Sequence, residues 1–240
     1  MIGNNIANVN TTAYKTSSAN FADTFSNTLR AASSDEASLQ IGTGVQMAGI
    51  NTNYKQGSLS STGNVTDLAI SGKGYFVVRD GTANYVTRDG SFHFDTAGNL
   101  RNSQNMSVLG VDGNPIVYAG YASAASISIA TDGTITAFDV AGTGSTAGQV
   151  GVLSIADESK LMKVGGNVYD FGATGTAVTS IAAPASAGAG KIRSGELELS
   201  NVDLTEQFSD LITSQRSFQA ASRLITVSDT VLEDIVNLKR

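Results

Sequence analysis

Cysteine and histidine are nearly missing from this 240-residue sequence, which has no Cys and one His. Without cysteine, disulfide bonds, thiolate nucleophiles and cysteine-based zinc sites are excluded. His93 alone cannot build a histidine-rich metal site, and a Ser-His-Asp triad would have to use it. Because His93 alternates with Phe92 and Phe94 in a predicted strand, we expect it to face away from them in a structural role. We expect no cofactor, no metal and no catalytic activity.

Patterns that bind nucleotides or calcium are missing as well. Gly72-Lys73-Gly74 leads into a predicted strand rather than a helix, so we interpret it as a turn. Gly142-Thr143-Gly144 lacks the lysine of a phosphate-binding loop. Asp95 and Asp112 lie near predicted turns but outside the calcium-loop pattern, so we expect their carboxylates to make local hydrogen bonds.

Charge is scarce and negative. Charged residues make up 15% of the chain, against a usual level of about a quarter, and the net charge is -6. This balance gives no broad positive field for nucleic acid or anionic lipid, so we expect neither partner. No apolar run approaches the length of a membrane span, and the sequence after Met1 lacks the basic and apolar regions of a secretory signal. We therefore expect no membrane insertion and, if the protein is extracellular, another route of export.

The first 60 residues are polar and mixed in pattern. Residues 1–30 are predicted to be an N-terminal helical segment, because apolar residues at helical spacing occur in two groups. The first group is Ile2, Ile6 and Val9. The second group is Phe21, Phe25 and Leu29. Residues 31–60 are predicted to be a connecting loop region.

From residue 61 to 194 the apolar pattern changes to the period of two that is typical of strands. Short runs are separated by Asp-Gly pairs, which tolerate the positive φ of tight hairpin turns. The pairs are Asp80-Gly81, Asp89-Gly90, Asp112-Gly113 and Asp132-Gly133. We therefore predict an antiparallel β domain over residues 61–194, with loops in the Gly/Ala/Ser/Thr-rich stretches 141–148 and 172–190.

Residues 195–240 are predicted to carry one long amphipathic helix, because the chain from Asn201 onwards has neither glycine nor proline. Apolar residues recur there every seven residues, at Leu204, Leu211, Phe218, Ile225 and Leu232. Phe208 and Ile235 widen the same face. The fold class is thus α+β and mostly β, with an antiparallel β domain between an N-terminal helical or extended segment and this helix.

The length of the helix raises the main physical question. Asp203 with Glu206 resembles a capping box and marks the helix start. A helix of about 50 Å is as long as a small domain is wide, so one β domain cannot cover its whole apolar face. The seven-residue repeat favours a coiled coil with another helix. The alternative is the core-facing helix of an ordinary α+β domain, although helices average about 11–12 residues.

Several segments resemble one family, the axial proteins of the bacterial flagellum, which include hook and rod subunits. IGNNIANVNTTAYK spans residues 2–15, and STGNVTDLAISGKGYF spans residues 61–76. Shorter segments lie at residues 85–92, 200–208, 214–219 and 236–240. The NVDLTE and terminal NLKR sequences are more similar to hook proteins than to distal rod proteins, and the chain resembles the short hook type without an extra outer domain.

The resemblance implies a tube in which terminal helices form an inner coiled-coil layer and the β domain faces outward. The implied function is that of a flagellar hook subunit, which polymerises into a flexible joint that transmits torque from rod to filament. A distal rod protein is the alternative. Implied partners are copies of the chain, the rod, hook-cap and hook-filament junction proteins, and the type III export apparatus that delivers it outside the cell. A secreted β-domain adhesin is a further alternative that leaves the C-terminal helix unexplained.

Two features depart from the family pattern. Ala13 stands where the family usually has Gly, which suggests a tolerated backbone change. The chain also begins inside a motif that members reach after an N-terminal helix, which suggests a trimmed or misplaced start and removes the helix that would pair with residues 203–238. The residues expected to carry subunit packing are Ile2, Ile6, Val9, Leu204, Phe208, Leu211, Phe218, Ile225, Leu232 and Ile235.

Overall fold

The computed structural model describes residues 1–30, 38–118, 120, 124–140, 142–175, 180–186 and 188–238. Over these residues the chain is mostly antiparallel β structure, with a short N-terminal helix and one long C-terminal helix. The predicted fold class is therefore confirmed. The first part of the predicted connecting loop, residues 31–37, lies outside the described residues.

The N-terminal part of the chain forms one short helix and a ribbon of two antiparallel strand pairs. Helix α1 spans Ile2–Ala7, as the spacing of its isoleucines predicts. The strands of the ribbon, numbered in chain order, are β1 (Ser17–Asp23), β2 (Ser26–Arg30), β3 (Leu39–Gly42) and β4 (Val45–Thr52). β1 pairs with β4 and β2 with β3, both antiparallel. We call these four strands the ribbon.

The ribbon corrects the prediction of a second N-terminal helix, which rests on the four-residue spacing of Phe21, Phe25 and Leu29. β1 and β2 cover this segment instead. Phe21 pairs with Met47 and Ala19 with Ile50 across the ladder between β1 and β4. Cross-strand pairs are the unit of sheet stabilisation, and these join residues far apart in sequence. These cross-strand pairs determine the conformation, although the four-residue spacing of the apolar side chains fits a helix equally well.

The prediction of a connecting loop over residues 31–60 is also wrong where the structure describes that region. β3, β4 and the start of β5 (Leu59–Ser61) occupy much of it. β5 pairs with β20 (Glu196–Glu198), the last strand before the C-terminal helix. The segment after the ribbon is therefore joined by a ladder to the strand just before the helix begins.

The central element is a sheet of nine short strands. They are β7 (Tyr75–Asp80), β8 (Ala83–Thr87), β9 (Phe92–Phe94), β10 (Leu100–Asn102), β11 (Ser107–Val108), β15 (Val152–Leu153), β16 (Met162–Gly165), β17 (Val168–Asp170) and β18 (Ile181–Ala182). Seven follow the order β16-β17-β8-β7-β11-β10-β9, and β15 pairs with both β7 and β18. Every ladder of this sheet is antiparallel, as predicted.

Smaller sheets flank this central one. β6 (Leu68–Ser71) pairs with β19 (Lys191–Ser194). A three-stranded sheet contains β12 (Ala124–Ile129), β13 (Thr134–Asp139) and β14 (Gly144–Gln149). β14 corrects the loop predicted over residues 141–148, because its small residues pair with β13 despite their low strand propensity. The loop predicted over residues 172–190 contains β18.

Both faces of the central sheet are buried. On β7, Phe76 and Val78 enter one apolar cluster, whereas Tyr75 and Val77 enter the cluster on the opposite face. Burying one large apolar side chain contributes about 1.5–3 kcal/mol. The β structure therefore has a core of its own that does not depend on the C-terminal helix.

Three of the four Asp-Gly pairs form the predicted tight turns. Asp80-Gly81 joins β7 to β8 and Asp132-Gly133 joins β12 to β13, with glycine φ values of 58° and 80°. Asp112-Gly113 is a turn with a glycine φ of 71°. Asp89-Gly90 does not form such a turn, because neither residue lies in a turn and the φ of Gly90 is not positive. A Cβ on Gly90 would lie 1.6 Å from the carbonyl oxygen of Leu68. Here glycine permits a close approach of two backbones.

The C-terminal helix, α2, spans Leu204–Leu238, in agreement with the prediction. Its 35 residues correspond to about 52 Å at 1.5 Å per residue. Asp203 caps it, because its Oδ1 accepts hydrogen bonds from the backbone N–H groups of Thr205 at 2.8 Å and Glu206 at 3.3 Å. None of the helices in the described ranges is long and apolar enough to cross a membrane.

Candidate subunit-packing surface

Most of α2 lies outside the packed body of the protein. Gln207 is its one buried residue in the range 204–238. Along the predicted seven-residue repeat, Phe218, Ile225 and Leu232 have exposed fractions of 77%, 65% and 60%. The alternative of a core-facing helix is therefore wrong. The apolar face of α2 is left uncovered within one chain.

The predicted packing residues nearest the body are more covered than those further along α2. Leu204 and Phe208 have exposed fractions of 38% and 48%, whereas Ile235, near the far end, has 57%. α1 contacts the start of α2. The remaining predicted packing residues are half-buried at this end, namely Ile2, Ile6, Val9 and Leu211. The structure thus brings the N-terminal and C-terminal predicted residues together only over the first turns of α2.

The ribbon presents a second uncovered apolar surface, which the sequence analysis missed. Phe21 and Met47 lie opposite each other on β1 and β4, and both are exposed. Val45 and Ile50 on β4 are exposed as well. A groove of about 570 Å³ runs between the root of the ribbon, α1 and the start of α2, and the α2 residues that line it are polar. The alternation of apolar residues in β4 is the signal that could have found this surface.

Two polar residues missed by the sequence analysis fix the crossing of α1 and α2. Asn5 on α1 and Gln207 on α2 are both buried. The Nδ2 of Asn5 donates a hydrogen bond to the Oε1 of Gln207 at 2.9 Å. Gln207 is the one buried residue described in α2, and this hydrogen bond joins it to α1.

A buried ionic cluster forms around Glu198. The Glu198 carboxylate accepts hydrogen bonds from Lys15, Arg88 and the backbone N–H of Gly57. Burial lowers the pKa of Lys15, and the Glu198 carboxylate partly offsets that effect. Lys15 and Arg88 belong to separate segments of the family resemblance, residues 2–15 and 85–92. The cluster joins these segments to the strand that leads into α2.

The backbone conformation of Ala13 explains why the family usually has glycine at this position. Its φ is 56°, which lies in the left-handed region that favours glycine. The residue is buried, and its N–H donates a hydrogen bond to the carbonyl oxygen of Glu198 at 2.8 Å. The turn geometry is therefore kept, at the cost of a strained alanine.

The structure shows the surroundings of two residues considered for catalysis or calcium binding, His93 and Asp95. His93 is exposed on β9 whereas Phe92 and Phe94 are buried, which confirms that they face opposite sides. Asp95 accepts local hydrogen bonds, as predicted for a turn aspartate, and bonds from Asn99 are the main reason that its pKa is lowered. In the part of the chain that the structure describes, no group of three or more His, Asp or Glu side chains is placed to hold a metal ion.

Comparison with known proteins identifies the family. The profile described as "Flagellar hook protein FlgE/F/G D1 domain" matches residues 69–137, and "Flagellar basal body rod FlgEFG protein C-terminal" matches residues 193–238. The chain is 38% identical over 246 residues to the flagellar basal-body rod protein FlgG of Bacillus subtilis (strain 168). This alignment covers 100% of this chain and 92% of the relative. The chain belongs to the flagellar hook and rod protein family.

Members of the flagellar hook and rod family match this chain to different extents. The flagellar basal-body rod protein FlgG of Borreliella burgdorferi is 33% identical over 250 residues, covering 100% of this chain and 92% of the relative. The flagellar hook protein FlgE of Treponema pallidum is 40% identical over 111 residues, covering 44% of this chain and 24% of the relative. The comparisons therefore favour the rod alternative over the hook interpretation that rested on the NVDLTE and NLKR sequences.

As a member of the flagellar hook and rod family, the chain is a structural protein of the bacterial flagellum. The profile over residues 193–238 includes all of α2 and the strand before it. The uncovered apolar face therefore lies in a segment that is characteristic of the family.

Proposed function

We propose that the chain is a subunit of the distal rod of the flagellum and polymerises with copies of itself. The observation that carries this proposal is the extent of the match. Rod relatives align with the whole chain and with 92% of their own length, whereas the hook relative aligns with 24% of its length. A hook protein with further outer domains would leave much of itself unmatched in this way.

The uncovered apolar surfaces supply the driving force for assembly. Burying one Leu, Ile or Phe side chain contributes about 1.5–3 kcal/mol, and α2 leaves several of them in water. Large exposed apolar patches favour association with other proteins. We propose that α2 packs with other copies through Leu204, Phe208, Leu211, Phe218, Ile225, Leu232 and Ile235. Around the start of α2, Ile2, Ile6 and Val9 complete this surface.

A place in the distal rod also defines the other partners in the proposal. Subunits at the two ends of the segment would meet other rod proteins on one side and hook proteins on the other. The chain would reach this position through the flagellar type III export apparatus. Direct contact with hook-cap or hook-filament junction proteins belongs to the hook alternative.

Electron microscopy of basal bodies from cells that lack the gene tests this assignment. We expect rods that end early and carry no hook, because a hook has nothing to grow on without the distal rod. A plasmid copy of the gene should restore full rods and hooks, which controls for effects on neighbouring genes. Complete rods that lack only the hook would support the hook alternative, and normal flagella would contradict both.

A further inference from the structure

The Asn5 side chain uses all of its hydrogen-bonding capacity at one point where four segments meet. Its Nδ2 donates to the carbonyl oxygen of Ser17 at 3.0 Å and to the Oε1 of Gln207 at 2.9 Å. Its Oδ1 accepts from the hydroxyl of Tyr14 at 3.1 Å and from the N–H of Ser17 at 3.2 Å. A primary amide offers two donors and two acceptor positions, so none is left over. One side chain therefore ties α1, the following turn, β1 and α2 together.

The orientation of this amide is fixed by the backbone of Ser17. Asn5 Oδ1 faces an N–H that only donates, and Asn5 Nδ2 faces a carbonyl that only accepts. Rotating the amide by half a turn would break both bonds. One N–H of Asn5 Nδ2 is used by Ser17, so the other points at Gln207. The side chain at position 207 must therefore supply a hydrogen-bond acceptor.

The contact determines which face of α2 turns towards the body. Gln207 is the one buried residue described in α2, whereas the apolar side chains nearest to it, Leu204, Phe208 and Leu211, are only partly covered. Ser17, the first residue of β1, shares the same amide. Buried polar pairs of this kind can specify one arrangement where apolar packing alone allows several.

We propose that Asn5 and Gln207 are positioning residues that set the direction and rotation of α2 relative to the β body and the ribbon. They thereby present the apolar faces of α2 and the ribbon in one fixed relationship. The part of this proposal that concerns assembly rests on the proposed function, whereas the part that concerns geometry does not.

The test compares two substitutions of similar size at one position. Gln207→Met removes the hydrogen-bond acceptor and keeps an unbranched side chain. Gln207→Glu keeps an acceptor, and its negative charge is favoured near the N-terminus of a helix. Spin labels at His93→Cys on β9 and Thr230→Cys on α2 report the direction of the helix by electron paramagnetic resonance. Labelling is specific because the chain has no cysteine.

We expect one narrow distance distribution for the parent protein and for Gln207→Glu, and loss of the narrow peak for Gln207→Met. Thermal unfolding of the β body should be the same in all three, which separates positioning from stability. A broad distribution in the parent, a narrow one in Gln207→Met or a broad one in Gln207→Glu overturns the proposal. Because these distances are measured on monomers, failure of the rod assignment would leave them unchanged.

Discussion

Lys15 and Glu198 lie 183 residues apart in the sequence, yet their side chains form an ion pair of 2.5 Å in which 1% and 0% of the side-chain surface is exposed. The Lys15 ammonium also donates to the carbonyl oxygen of Lys55 at 2.9 Å. Taking two charges out of water is costly unless both are well bonded, as they are here. The pair therefore joins the N-terminal segment to the strand before α2.

Replacing Lys15 with methionine should destabilise the protein strongly. Removal of one partner of a buried pair leaves the other charge uncompensated, which typically costs about 3–5 kcal/mol. Arg88 remains near the Glu198 carboxylate at 3.4 Å, so we expect a loss of about 3 kcal/mol, at the lower end of that range. Urea unfolding followed by circular dichroism measures the change.

Lys191→Met is the matched control for this experiment. Lys191 is exposed on β19, and surface substitutions usually change the free energy of unfolding by less than about 0.5 kcal/mol. Equal effects of the two substitutions would show that the buried ion pair contributes nothing specific.

Ala13 should accept glycine but not valine. Relief of the left-handed strain, about 1–2 kcal/mol, is offset by the loss of a buried methyl group, about 0.8 kcal/mol, and by the greater chain entropy of glycine, about 0.4–1 kcal/mol. We therefore expect Ala13→Gly to change the free energy of unfolding by less than about 1 kcal/mol. Ala13→Val should cost at least about 2 kcal/mol, because β-branched residues rarely adopt positive φ.

The same urea titrations decide this prediction. A large loss in Ala13→Gly would mean that the buried methyl group, rather than the backbone conformation, determines the residue at this position. A stable Ala13→Val would mean that the turn can change its φ without cost.

Local signals were enough to predict α2 and three of the four Asp-Gly turns. The helix has a cap at Asp203 and an apolar repeat sustained over many turns, and Asp80-Gly81 carries its own turn chemistry. The ribbon could not be predicted in the same way, because the spacing of Phe21 and Phe25 fits a helix until a distant strand pairs with β1. The contact of Asn5 with Gln207 spans 202 residues and leaves no trace in the local pattern.

Asp95 should contribute stability that depends on pH. Hydrogen bonds from Asn99, and further ones from Arg101 and Ala97, hold its pKa below the ordinary value of 3.8. A carboxylate with a lowered pKa stabilises the folded state above the unfolded-state pKa and loses that contribution as the pH falls through the folded-state pKa. Asp95→Asn should therefore be less stable than the parent at about pH 7, with a smaller difference at about pH 3.

Urea unfolding of both proteins across this pH range provides the measurement. The other carboxylates are common to both chains, so their titration cancels in the difference. A difference that stays constant with pH would show that the hydrogen bonds of Asp95 do not depend on its charge.

Ile225 offers the most direct test of the packing surface on α2. It is 65% exposed in the single chain, so Ile225→Asp should change the unfolding free energy of the β body by less than about 0.5 kcal/mol. In the assembled rod the aspartate would be buried without a partner, and we expect loss of motility and of rods in micrographs. Thr230→Asp, which is exposed and lies about 140° around the helix from Ile225, is the control that should retain both. Normal rods from the Ile225→Asp variant would show that this face of α2 does not carry assembly.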